Sequence, residues 1–301
     1  MAEIAAIDCG TNSIKLLIGD LPEISVRESR MVRLGQGVDA TGSLADEALA
    51  RTFAAVDEYA ALIAAHGVDR VRFCATSATR DARNAEAFTA GVRDRLGVVP
   101  EVVSGDEEAA LVFAGATREL RDQLELPVLV VDIGGGSTEL VLGAEQPEAA
   151  MSMDIGAVRL HERHLHDDPP TPYQVAACVA DIDRHLDGGP VPLARSHSVV
   201  GTSGTIKTLA AAMLDLPCYD RDAIDGVVLG TADTRAYVER LVAMPVAERR
   251  AIPSMHPGRA DVIGAGALIW SRVLAASGVD DYRVSEADIL YGIAWSLADE
   301  A

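Results

Sequence analysis

Val128-Leu-Val-Val-Asp132-Ile-Gly134-Gly-Gly136-Ser137-Thr-Glu139-Leu-Val-Leu-Gly143 reads as a strand, a glycine turn and a second strand. Four apolar residues lead into Asp132. Three glycines follow, with no Cβ to keep their backbone N–H groups away from a ligand. Ser137 adds a hydroxyl. Period-two alternation puts Glu139 and Val141 on one face of the exit strand, and Leu140 and Leu142 on the other. A carboxylate at the mouth of a ring of donors suits a metal-bound phosphate. The stretch is not a GxxxxGK[ST] phosphate loop. It is not a Rossmann turn either, because a strand follows it and not a helix.

The same pattern opens the chain. Ile4-Ala-Ala-Ile7-Asp8-Cys-Gly10-Thr11-Asn12-Ser13-Ile-Lys15-Leu-Leu-Ile-Gly19 aligns with it without a gap, at an offset of 132 − 8 = 124 residues. Asp8 matches Asp132, Gly10 matches Gly134, Ser13 matches Ser137 and Gly19 matches Gly143. One apolar-Asp-x-Gly turn is ordinarily just a β-hairpin. Two copies about a domain apart predict two related lobes whose turns face across a cleft. Lys15 falls where Glu139 falls, so one lobe offers a cation to phosphate and the other a carboxylate to a metal.

Composition narrows the setting. A chain of 301 residues is long enough for two domains with their own cores. Apolar residues make up 49% and aromatics only 4%, a balance that fits packed α/β layers. Cys9, Cys74, Cys178 and Cys218 are scattered without zinc spacing and read as reduced thiols of a cytoplasmic protein. Met1-Ala-Glu-Ile runs straight into the first strand, with no signal segment, and no apolar run reaches membrane-spanning length. A formal net charge of −20 argues against nucleic-acid and acidic-membrane partners. A polyanionic ligand then requires cations concentrated locally, together with a metal. The two lysines, Lys15 and Lys207, both fall in glycine-flanked stretches.

Along the chain, one or two strands are expected over 24–38. A helix capped by Ser43 should run to Gly67. A buried strand at 71–75 delivers Thr76-Ser-Ala-Thr-Arg80 at its C-terminal end, where α/β sheets place ligand sites. A helix at about 84–96 and a strand at Glu101 precede Ser104-Gly-Asp106-Glu107-Glu108, which opens a helix over about 106–120. Complementing the helix dipole is enough to account for Glu107. Residues 121–127 read as the junction between lobes 1–125 and 126–301. A strand at 150–155 leads into Gly156-Ala-Val-Arg159, and Thr171 with Pro172 starts a helix. A strand at 198–200 enters Gly201-Thr-Ser-Gly204-Thr205-Ile-Lys207, a helix start suited to an anion. Residues 215–258 read as helices and loops. A long apolar helix, a strand at 282–285 and a terminal helix at about 288–299 follow, and that last helix can pack back on the first lobe. His161, His164 and His166 read as solvated.

These motifs together resemble the exopolyphosphatase/guanosine-pentaphosphate phosphatase (Ppx/GppA) family over nearly the whole chain. The carriers are Asp8 to Ser13, Thr76 to Arg80, Ser104 to Glu108, Asp132 to Glu139, Gly156-Ala-Val-Arg159-Leu and Gly204-Thr-Ile. The resemblance implies an α/β two-lobed actin-like ATPase fold, a duplicated ribonuclease H-like lobe with an interlobe cleft. It implies hydrolytic release of terminal orthophosphate from inorganic polyphosphate, with pppGpp as the alternative substrate, dependent on Mg2+ or else Mn2+, by a protein that can form a homodimer. Glu108 matches the general base, and Asp132 and Glu139 the catalytic and metal carboxylates. Asp8, Thr11, Asn12, Ser13, Lys15, Arg80, Gly134, Gly135, Gly136, Ser137, Gly204 and Thr205 match the phosphate cradle. Two departures stand out. The family's Leu-Arg-Glu-Gly is Ile289-Leu290-Tyr291-Gly292 here, and the long members' C-terminal helical extension is missing, which leads to the expectation of short polyphosphates and weak processivity. A kinase of the same fold and a non-catalytic phosphate-binding protein are the competing classes. Ser104-Gly-Asp-Glu-Glu108 argues against both.

Overall fold

Every residue of β1 (Ile4–Cys9) is buried, Asp8 included, in the computed structural model, which describes residues 3–299. β1 pairs antiparallel with β2 (Ser13–Asp20), which pairs antiparallel with β3 (Glu23–Met31). On its other side β1 runs parallel to β4 (Arg70–Ala75), and β4 to β5 (Glu101–Val102). The order is β3-β2-β1-β4-β5. The helix Asp46–His66 presents Leu49, Val56, Tyr59 and Ile63 at helical spacing, and these close one core with Ile14, Leu16, Phe73 and Phe88.

The second sheet is built the same way. β6 (Val128–Ile133), β7 (Thr138–Gly143) and β8 (Pro147–Met153) form the antiparallel part, and β9 (Ser198–Thr202) runs parallel to β6. β10 (Val228–Gly230) is an added edge strand on β11 (Asp281–Val284), which is parallel to β9. The repeat extends to register: Asp8 is opposite Lys15, and Asp132 is opposite Glu139. An irregularity falls at Ile18/Gly19 in one sheet and at Leu142/Gly143 in the other. Three antiparallel strands followed by parallel ones make a ribonuclease H-like lobe. Its duplication gives the two-lobed α/β fold of the actin-like ATPases.

By contacts the chain divides into Met1–Gly115 with Ile289–Ala301, and Ala116–Asp288. The terminal helix Ile289–Asp299 packs on β1. Gly292 is needed there, because a Cβ on it would overlap the Leu111 carbonyl of helix Gly105–Thr117. Among the described residues, no helix is long and apolar enough to cross a membrane.

Three local readings differ from the structure. The helix expected from Ser43 begins at Asp46, since Leu44 N donates to Asn84 Oδ1 at 2.8 Å and ties the preceding residues down. β10 lies in a stretch read as helices and loops, and three residues are too few to show a period. His164 is not a solvated side chain, although His166 is exposed. Its Nε2 lies 2.7 Å from Asp181 Oδ2, beside Arg163 Nη1 at 3.0 Å. Asp181 belongs to helix Pro172–Asp187, which starts as expected with Pro172 and a capping box of Thr171 with Gln174.

Asp181 is only 3% exposed, and Arg184 Nη1 adds a third bond at 2.8 Å. Burial alone would raise its pKa, but the bonds from His164, Arg163 and Arg184 prevail and bring it down to about 2. An unfolded Asp titrates near 3.9, so this group stabilises the fold above about pH 4 and loses that contribution as pH falls toward about 2. Thermal unfolding of wild type and Asp181→Asn should therefore differ by a constant gap above pH 5 that closes below pH 4. A gap that persists to pH 2 would contradict the assignment. Gly292→Ala should destabilise the first unit by about 1–3 kcal/mol in denaturant titration, the usual penalty for overpacking.

Candidate active site

Both glycine turns close alike, with Gly10 N donating to Ser13 O at 3.0 Å and Gly134 N to Ser137 O at 2.9 Å. Their carbonyls are taken up by neighbouring backbone. Ala157 N donates to Gly134 O at 2.9 Å, and Val158 N and Arg159 N donate to Gly135 O at 2.8 and 3.1 Å. Arg159 Nε donates to Gly136 O at 2.8 Å. In the first unit, Gly35 N serves Thr11 O at 2.8 Å, and Val32 N and Arg33 N serve Asn12 O at 3.0 and 2.9 Å. The amides of Thr11, Asn12, Gly135 and Gly136 donate to no acceptor among the described residues. Asn12 Oδ1 is also buried without a partner. A turn with its carbonyls engaged and its N–H groups left over is an anion-binding nest. The arrangement is reciprocal, because the turn satisfies the leading N–H groups of helix Ala157–His164, which every helix must place somewhere.

The carboxylates flank the second nest. Asp132 and Glu139, 7% and 1% exposed, are direct cross-strand partners, and Ser152 Oγ donates to Glu139 Oε1 at 2.8 Å. In the first unit the same two positions hold an ion pair, Lys15 Nζ to Asp8 Oδ2 at 2.9 Å. Ser203 fixes the strand end beside Asp132. Its Oγ accepts from Ile133 N at 3.1 Å and donates to Ile133 O at 2.9 Å, from a φ of 77° that is strained for serine.

Of the two helix-start residues expected in the cradle, Thr205 is buried with its side chain against Gly266. Gly204 makes room for the Arg259 guanidinium, which a Cβ would overlap. That guanidinium makes no hydrogen bond among the described residues, and burial brings its pKa below the ordinary arginine value. The second lysine is tied up: Lys207 Nζ donates to Asp288 Oδ2 at 2.9 Å and to Glu286 O at 3.0 Å.

In the first unit, Ser104 caps helix Gly105–Thr117 by accepting from Glu107 N at 3.1 Å. Glu107 turns outward to Arg72 at 2.8 Å. Glu108 turns inward, 6% exposed, and accepts from Arg80 Nη1 at 3.0 Å. The same nitrogen donates to Val103 O at 2.9 Å, and Thr11 Oγ1 meets Ser77 Oγ at 2.9 Å. The first unit thus brings Glu108 to Arg80, and Asp8 to Lys15. The second brings Asp132, Glu139 and the Gly134–Ser137 turn together. Ser203, Arg159, Arg259 and Ser152 are additions that sequence reading left unassigned. Gly156-Ala-Val-Arg159 was a visible motif, whereas the partners of Ser203 and Arg259 are more than fifty residues away.

Among the described residues, no three His, Cys, Asp or Glu side chains gather into a closed metal cage. Two adjacent hard-oxygen carboxylates beside a turn with backbone N–H groups left over fit an ion that keeps several waters in its shell.

A duplicated ribonuclease H-like fold with N–H nests and paired carboxylates defines a protein of the actin-like class that handles phosphoryl groups. Residues 16–300 match the Ppx/GppA phosphatase family, and the chain belongs to it. It is 46% identical to Exopolyphosphatase 2 of Mycobacterium tuberculosis, over 99% of each chain. It is similar to the crystal structure of an exopolyphosphatase-like protein, with a TM-score of 0.96, 44% identity and 99% of each chain covered. It is also similar to the Aquifex aeolicus member of the Ppx/GppA family, with a TM-score of 0.82 and 31% identity over 99% of this chain and 98% of that one.

Gly156 abuts the nest so closely that a Cβ would overlap the Gly135 carbonyl. Gly156→Ala should lower stability by about 1–3 kcal/mol, because rigid backbone lies on both sides, and should weaken tripolyphosphate binding measured by calorimetry. Unchanged binding would mean that this contact does not shape the turn.

Proposed function

We propose that this chain is an exopolyphosphatase, hydrolysing the terminal anhydride of inorganic polyphosphate to release orthophosphate, with a preference for short chains. The observation that carries this reading is the 46% identity to Exopolyphosphatase 2 across 99% of both chains. The site supplies a chemistry for it. Phosphoryl transfer needs little covalent work from a protein. It needs a positioned water, donors aimed at the phosphoryl oxygens, and offset charge.

The amides of Gly135 and Gly136 and the Ser137 hydroxyl hold phosphoryl oxygens. Asp132 and Glu139 would hold a divalent cation, and their hard oxygen donors suit Mg2+. That ion, when bound, offsets charge on the phosphate. Glu108 orients the attacking water and accepts its proton, and Arg80, braced on Val103 O, fixes the direction of the carboxylate. Water attacks the terminal phosphorus, the bridging P–O bond breaks, and the chain leaves one phosphate shorter. Cys9, Cys74, Cys178 and Cys218 are free thiols, which supports a cytoplasmic setting.

The test is phosphate release from short polyphosphate and from pppGpp, side by side, with Mg2+ or EDTA. Polyphosphate should be the faster substrate, and EDTA should stop release. Glu108→Gln should cost about 10²–10⁴-fold in kcat at unchanged fold, the range for a lost general base. Faster release from pppGpp would replace the substrate assignment. Full activity of Glu108→Gln would remove its role, and no release from either compound would sink the hydrolase reading.

A further inference from the structure

The helix Ala157–His164 is anchored at both ends. At its start, Ala157, Val158 and Arg159 N–H groups donate to the carbonyls of Gly134 and Gly135. At its end, Arg163 and His164 reach the carboxylate of Asp181 at 3.0 and 2.7 Å. In between, Leu160 is fully buried in one core with Leu165, Cys178 and Ile182. Eight residues make a helix of about 12 Å, too short to absorb a displacement by bending. A shift at the far end is therefore delivered to the glycine turn.

We propose that Asp181 is a positioning residue for this turn. Its ion cluster fixes the far end of the short helix, and the helix fixes where the Gly134 and Gly135 carbonyls are held and so where the amides of Gly135 and Gly136 point. The functional half of this inference rests on the turn being the phosphate cradle of the proposed hydrolase. One feature sets Asp181 apart from ordinary core. Its carboxylate receives donors from two elements, Arg163 and His164 from the short helix and Arg184 from its own, while His185 Nδ1 meets the Asp181 backbone carbonyl at 2.8 Å. A buried carboxylate so surrounded tolerates few geometries, since the donors of both helices must reach its two oxygens at once. The same helix also supplies a comparison carboxylate, Asp183, whose side chain is 34% exposed. Asp183 pairs with Arg272 at 2.6 and 3.1 Å, toward helix Ile263–Ser277.

The test compares Asp181→Asn and Asp183→Asn with wild type by amide hydrogen exchange in ligand-free protein and by kinetics on short polyphosphate. Asp181→Asn should speed exchange at Val158 and Arg159 by about tenfold or more through local opening. It should cost about 10-fold in KM or kcat/KM, as loss of an outer supporting contact commonly does. Asp183→Asn should leave both near wild type. Arg163→Gln/His164→Gln, which removes the short helix's charged donors and leaves Arg184 Nη1 on Asp181 at 2.8 Å, should reproduce the effect if Asp181→Asn fails to fold. Equal exchange in the two Asp variants would overturn the proposal. So would faster exchange at Val158 and Arg159 with unchanged kinetics. A wild type that releases no phosphate would sink the hydrolase reading separately, and exchange would still decide whether Asp181 holds the turn.

Discussion

Asp132 and Glu139 are direct neighbours across two central strands, and carboxylates at that spacing repel. The sheet cannot relieve this by moving. β6 is flanked by β7 and β9, and six register pairs fix β6 against β7. The first unit resolves the same position within the chain, by placing Lys15 opposite Asp8. The second keeps the charge and sets a nest of backbone amides beside it. Under the proposed function, a cation brought in with phosphate would serve both, with phosphate on the donors and the ion on the carboxylates. At this position the duplicated scaffold thus differs, with an internal ion pair of Lys15 and Asp8 in one copy and facing carboxylates in the other.

The nest depends on where the carbonyls go. A glycine turn left to itself would expose donors and acceptors alike, and the acceptors would repel a phosphate. Here the Gly134 and Gly135 carbonyls meet the leading amides of helix Ala157–His164, and Gly136 O meets the Arg159 side chain. Each element thereby removes the other's unsatisfied groups, and donors predominate at the turn. Ser203 completes the support from behind. Holding a serine at φ 77° costs on the order of 1–3 kcal/mol, and its two bonds to Ile133 offset that strain.

The turns, the duplication and the sheet core were legible because their signals are local or strictly periodic. Asp, Gly and Ser recur at one offset, and period-two alternation separates the two faces of β7. What escaped depends on partners that no local pattern encodes. Ser43 reads as a cap, but Asn84 ties down Leu44 and moves the start. His164 sits in a polar run and reads as solvated, yet Asp181 is on another helix. That Ser203 is the hydroxyl of Thr-Ser-Gly-Thr that bonds the strand end at Ile133 depends on its unusual backbone. Arg259 finds its place against Gly204 only because the fold brings them together.

The charges carry one further step. A chain of net charge −20 is an unpromising host for a polyanion if binding relies on a basic surface. Its motif cations do not form one. Lys15 is paired with Asp8, Lys207 with Asp288 and Arg80 with Glu108. Arg259, with no hydrogen bond among the described residues, is the exception. Under the proposed function, affinity then rests on amide dipoles and a metal, whose reach is a few ångströms, and not on a field that extends a Debye length into solvent. Short-range donors grip the phosphate they touch and add little attraction for the rest of the polymer. An enzyme built this way discriminates at the terminal group and releases its product readily, because the surrounding field opposes retention of the shortened anion.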